Sequence, residues 1–153
     1  MQILIDKIKE LKKQRIEIMI LDILKRNDIQ KKILDMVRIN QLLEHGVSED
    51  NVRIGSYSPY TIQLKKEKGQ RTDHITLLDT GVFYDSFFIS VLADTFVINA
   101  NDEKVNEKGE TILLTEKYNY AGNIMGLTEE NMDKLIILLK NEVNKKLWQT
   151  INQ

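Results

Sequence analysis

Cysteine is absent from the 153 residues, proline occurs once, at Pro59, and histidine twice, at His45 and His74. Without thiols there is no disulfide framework and no thiolate nucleophile, and two histidines without cysteine leave a zinc site short of its usual ligands. The 7 glycines are scattered, and none falls in a phosphate-cradling or dinucleotide-binding pattern. Charge of one sign is lacking too. Lys and Arg number 22 against 23 Asp and Glu, a formal net charge of -1, so no overall positive field draws the chain to nucleic acid, and sequence-specific binding there is not expected. Long hydrophobic runs are missing: Ile16 to Leu24 is broken by Glu17 and Asp22, and the first residues put their charges after the apolar positions, the reverse of a signal peptide. These absences argue against redox chemistry, zinc catalysis and a membrane partner. They predict a protein made in the cytoplasm that needs no cofactor and no metal.

What is present is an ordinary globular balance, 42% hydrophobic and 29% charged, in a length that suits one domain over 1–153. From Ile3 to Leu24 apolar residues recur in steps of three and four until Arg15 falls out of step, which predicts either a helix kinked near Gln14 to Ile16 or one that exchanges one buried face for another. A second helix is expected from an Asn27 cap with Gln30 as its capping-box partner, buried through Ile29, Ile33, Met36, Val37 and Leu43, and stopped at Gly46. The N-terminal helices thus occupy 1–46.

The period then changes. Over 52–122 the pattern predicts a sheet: Tyr60, Ile62 and Leu64 alternate with polar residues after Pro59, Ile75 to Leu78 forms a second strand, and Phe87 to Leu92 with Phe96 to Ala100 forms a hairpin. Between them, 80–86 reads as a short helix capped by Asp79 or Thr80. The stretch 101–109 holds Asp102, Glu103, Lys104, Glu107 and Lys108 and reads as a solvated, mobile loop. Over 128–150 a helix is expected, with Thr128 as cap, Glu129 and Glu130 in its first turn, a Leu127 to Met132 staple, and a buried face of Met132, Leu135, Ile136, Leu139, Val143 and Leu147. The predicted fold is α+β, a small and mainly antiparallel sheet packed against long N-terminal and C-terminal helices.

Two readings compete for the segment around Asp79. Asp79-Thr80-Gly81 after an apolar strand is the pattern around the catalytic carboxylate of retroviral-type aspartic proteases, in which two such residues share a proton across a homodimer axis. The glycine-rich flap of such enzymes has no clear counterpart between Gly81 and Gly126. A longer pattern uses the same residues. Asp79-Thr80-Gly81-x-Phe83-Tyr84-x-Ser86-Phe87 followed by a hairpin resembles the Thr-Gly-x-Leu-x-x-Ser element of the tail-completion, or virion-morphogenesis, proteins of tailed bacteriophages. Further on, Ile124-Met125-Gly126-Leu127-Thr128-Glu129-Glu130 resembles the segment that introduces the C-terminal helix of that family.

That resemblance implies a non-enzymatic virion protein at the head-tail junction, made in the host bacterial cytoplasm. It would be one subunit of a cyclic ring between the portal-side adaptor and the tail proteins. Independently of it, Thr80 suits a cap, Gly81 a tight bend, Phe83 and Phe87 lie four apart on one face, and Ser86 suits a backbone-bonded turn end rather than a nucleophile. His74 reads as an exposed residue at a strand end. Lys65, Lys66 and Lys68 read as a solvated face. Candidate contact residues are Tyr57 and Tyr60, since tyrosine joins wide apolar contact to a polar tip, the charged set at 101–109, and the outer faces of the terminal helices.

Overall fold

The computed structural model describes residues 2–105 and 108–152. It is an α+β arrangement of helices around two short antiparallel hairpins. Helix α1 runs over Gln2–Leu24 and α2 over Asn27–Asp35. The latter continues into a wider, π-type segment, Met36–His45, that ends on Gly46 in the left-handed conformation at φ +62°. Then come α3 (Pro59–Glu67), α4 (Val82–Asp85), the hairpin β1 (Phe88–Val91) and β2 (Phe96–Asn99), and the hairpin β3 (Glu103–Val105) and β4 (Thr111–Leu113). A short helix α5 (Leu114–Lys117), a 3-10 turn (Asn119–Ala121) and the long α6 (Glu129–Ile151) complete the chain.

Several elements depart from the sequence pattern, each for a local reason. Residues 59–67 form a helix, not a strand. Ser58 caps it by accepting a hydrogen bond from the Thr61 N–H at 3.2 Å, and Pro59 sits in the first turn, where its missing N–H costs nothing. Residues 75–78 form no strand, Leu77 standing in the left-handed region at φ +59°: the Ile75 N–H donates to the Gly55 carbonyl, and the Thr76 N–H donates to the Tyr57 hydroxyl. The cap position of α2 is Arg26 rather than Asn27, with no side-chain cap bond, and Gln30 donates its amide to the Leu24 carbonyl. The charged stretch expected to be a loop supplies β3, whose Glu103, Lys104 and Val105 pair with Leu113, Ile112 and Thr111. Its carboxylate Asp102 accepts hydrogen bonds from both the Thr115 N–H and its hydroxyl, fixing the hairpin to α5. Glu107 lies outside the described residues.

The core has two parts that meet at Ile98 and Leu127. One gathers Val37, Leu42, Ile54, Ile75, Tyr84, Phe87, Leu114 and Ile124. The other joins Ile23 and Leu24 of α1 and Ile29 and Ile33 of α2 to Leu135 and Val143 of α6. Arg26 ties the α1–α2 turn to α6, donating to Glu142 at 2.6 Å, and Lys146 lies 3.8 Å from Asp22. These two bonds make α1 and α6 antiparallel. In that register, α6 ends beside about residue 17 of α1, so the earlier residues project beyond it by about 24 Å at 1.5 Å per residue.

The predicted stripe of α1 is therefore largely uncovered: only Ile23 and Leu24 are buried, while Ile3 is 85% exposed and Leu4 63%. On α6, Met132 and Ile136 also face outward, because the buried face is centred on Asn131, Leu135, Glu142 and Val143.

His74, expected on the surface, is 1% exposed: its Nε2 donates to the Leu43 carbonyl at 3.0 Å and its Nδ1 lies 2.9 Å from the Asp73 carboxylate. Gly46 makes this possible, since a Cβ there would stand 2.3 Å from the imidazole and 2.8 Å from the Ile75 carbonyl. Gly69 has nearly the same φ, +64°, and open space around it, so the pair separates crowding from backbone strain. Gly69→Ala is expected to cost about 1 kcal/mol and Gly46→Ala at least about 2 kcal/mol more. Urea unfolding of the two variants measures the difference, and equal costs would remove the crowding argument.

Candidate functional site

Five residues singled out from sequence, Tyr57, Tyr60, Asp79, Lys104 and Lys108, come together in one groove of about 670 Å3. Helix α3 forms one wall, the β3–β4 hairpin with Lys117 and Tyr118 the other, and the segment 75–79 the floor. Sequence spacing could not show this. The residues lie on four elements whose approach is decided by the core beneath them.

The floor is held by side chains in place of a ladder. Tyr57 OH lies 3.0 Å from the Thr76 hydroxyl while accepting the Thr76 N–H, and Tyr84 OH donates to the Thr76 carbonyl at 2.5 Å. Burial pushes the Tyr84 hydroxyl well above the usual tyrosine range, so it stays protonated as a donor. Lys65 is the unexpected member. Read from sequence as part of a solvated face, it is buried, donating to Gln70 Oε1 at 3.0 Å and to the Leu78 carbonyl, with its ammonium 4.8 Å above the Tyr57 ring. The alternation of apolar residues in α3 hid it, because a lysine directed at a carbonyl carries no sequence signal.

Asp79 does not cap the short helix. Its carboxylate accepts a hydrogen bond from Lys68 at 2.6 Å and lies 3.5 Å from Lys104, so it bridges α3 to β3. These ammonium groups, Lys68 first, hold its carboxyl below the usual aspartate range. Gly81, at φ +94°, takes the capping position of α4, and the Thr80 hydroxyl makes only a long 3.5 Å contact with the Val82 N–H. The remainder of that motif behaves as the sequence suggests. Phe83 and Phe87 meet edge to face with ring centres 5.0 Å apart, Ser86 donates to the Phe83 carbonyl at 2.7 Å, and Ser86 Oγ accepts the Asn101 N–H at 2.9 Å.

The second motif, Gly126 to Thr128, belongs to a different junction. Thr128 caps α6, its hydroxyl accepting the Asn131 N–H at 3.3 Å. Leu127 packs against both parts of the core, whereas the expected partner of its staple, Met132, is 41% exposed. Behind the cap lies Gln41, 2% exposed and not singled out from sequence. Its amide nitrogen donates to the Gly126 carbonyl at 2.9 Å, and its oxygen accepts from the Thr128 N–H at 2.8 Å and from Asn131 Nδ2 at 2.9 Å. Asn131 Nδ2 also donates to the Met36 carbonyl at 3.0 Å.

Chemically, the described lining of the groove presents five lysines, 65, 68, 104, 108 and 117, and the acid Asp79, with tyrosine rings and aliphatic side chains between them. Such a lining suits an anionic ligand that also brings apolar contact. Among the described residues no cluster of His, Cys, Asp and Glu is placed to hold a metal ion.

Removing Gln41 leaves buried donors and an acceptor unpaired, so Gln41→Leu is expected to lower stability by about 3 kcal/mol. A loss below about 1 kcal/mol in urea unfolding would show that water satisfies those groups. For Asp79, a carboxyl depressed in the folded state adds stability above the ordinary aspartate value, and this is lost as pH falls through the lowered one. Asp79→Asn is therefore expected to cost up to about 1 kcal/mol near neutral pH and nothing once the pH lies below the depressed value. Denaturation of both proteins across that range measures it, and a pH-independent difference would exclude the ion pairs as the cause. Comparison with protein-family models, with curated proteins and with solved structures finds no match to this chain.

Proposed function

We propose that this chain is a structural subunit of a tailed-phage particle, placed at the head-tail junction as part of a ring between the portal-side adaptor and the tail. The observation that carries the reading beyond its motifs is the projecting half of α1. Seven of its large apolar side chains, Ile3, Leu4, Ile5, Ile8, Leu11, Ile16 and Ile18, are exposed, six of them within the part that runs past the end of α6. A stripe of this size in water needs a protein to cover it, which suits a subunit completed by assembly. The order of the two motifs along the chain supports the same family, as does a long C-terminal helix opened by a threonine cap.

The protease alternative draws no support from the surroundings of Asp79. Two carboxyls sharing one proton require at least one raised pKa, and the lysines beside Asp79 act in the opposite direction.

Deletion of residues 2–16 tests the proposal, since none of them is buried. The shortened chain is expected to keep its melting temperature within a few degrees. In the phage that carries this gene, full heads and finished tails should then accumulate separately. Absence of the chain from purified infectious particles, read by mass spectrometry, would overturn the assignment.

A further inference from the structure

The groove and the C-terminal helix of this chain have complementary chemistry. The exposed face of α6 carries Glu129, Met132, Asp133, Ile136 and Ile137, with Met132 41%, Ile136 42% and Ile137 59% exposed. Glu129, Met132, Asp133 and Ile136 follow the spacing of a helix ridge that docks into a groove, with acids leading and aliphatic side chains following. The groove offers the reverse set. Lysines 68, 104, 108 and 117 stand on its walls, and Leu64, Leu77 and Ile112 provide apolar surface.

Within one copy the two surfaces lie on separate elements, for the groove is built from α3, the 75–79 segment, the second hairpin and the start of α5, and the ridge from α6 alone. We infer that the groove receives the α6 ridge of a second copy of this chain.

Charge selects this occupant among the exposed apolar surfaces of the molecule. The arm of α1 is the other candidate, but Lys7, Lys9, Lys12, Lys13 and Arg15 outnumber Asp6, Glu10 and Glu17 there, and a lysine-lined groove repels it. Glu130 is already paired with Lys134 at 2.7 Å, so Glu129 and Asp133 are the acids the ridge brings. Asp79 is shared by Lys68 and Lys104. An incoming carboxylate adds a second acceptor to the same ammonium groups. Because groove and ridge are different surfaces, the contact runs head to tail and either closes into a ring or extends into a filament. Closure into a ring rests on the function proposed above; the contact itself does not.

The absence of native cysteine permits a direct test with purified protein. Lys104→Cys in one preparation and Asp133→Cys in another, mixed at high concentration and oxidised, should give the mixed disulfide dimer in preference to either homodimer. A chain carrying both substitutions should give a ladder of linked copies or a closed ring. Reversing charge on one side, with Lys68→Glu in the Lys104→Cys protein or Glu129→Lys in the Asp133→Cys protein, should cut the yield about tenfold, and combining the two should restore it. A single cooperative melting transition within several degrees of the parent shows that each of the four singly substituted proteins is folded, the two at Lys68 and Lys104 giving up an ion pair with Asp79.

Failure of the mixed dimer to form, or a yield indifferent to charge reversal, overturns the contact. So does a groove that binds a poly-glutamate peptide or an oligonucleotide while no copies link. Linked copies of a chain that is missing from phage particles would overturn the phage reading and leave the contact standing. A chain found in particles whose copies do not link would do the reverse.

Discussion

The amide of Gln41 is the joint on which the fold turns. One side chain, sealed from water, satisfies the carbonyl of Gly126, the N–H of Thr128 and the amide of Asn131, and through Asn131 it reaches the carbonyl of Met36. It therefore fixes where α6 begins and how that helix sits on the segment 36–45. The wider winding of that segment follows the same demand, because a π-type turn re-aims side chains that an α-helix would direct elsewhere. Low dielectric strengthens a network of this kind when it is complete and penalises it when one member is lost. With α6 set, the antiparallel pairing to α1 follows through Arg26, Glu142, Asp22 and Lys146. Glu142 is kept ionised there, its carboxyl held below the usual range by Lys145 and then by Arg26.

The segment 75–79, which turns through Leu77 at φ +59°, shows how a small protein can hold an irregular stretch without a sheet. Its backbone groups are met by Tyr57, Tyr84, Lys65 and Gln70, and by the Gly55 carbonyl. Side-chain partners of this sort leave one face of the segment open, and that face becomes the floor of the groove. Asp79 closes the same region by joining α3 to β3 through two lysines. The residues that look catalytic in a linear motif thus work as a clamp between elements.

The surface left over is unusual for a chain of net charge -1. It carries an apolar arm, an acidic and aliphatic ridge on α6, and a lysine-rich groove. Polar and charged residues interleave with the apolar ones on all three. The three lie on different elements, so a contact at one leaves the other two open.

Elements whose signals are local are legible in the order of the amino acids. Thr128 with Glu129 and Glu130 marks the start of α6, Gly46 the end of the second helix, and the β-branched and aromatic residues of 88–99 a hairpin in the expected place. The Phe83 and Phe87 pair and the backbone-bonded Ser86 follow from spacing alone. Tertiary structure decided the rest. Three alternating apolar residues after Pro59 fit a strand as well as a helix, and the Ser58 cap together with the floor beneath chose the helix. Helical periodicity in α1 reports a stripe but not whether anything covers it, and the end of α6 set that limit. Lys65, His74 and Gln41 are polar residues that composition assigns to the surface. Each is buried because a carbonyl or amide distant along the chain meets it, and such partners exist only after the backbone has closed.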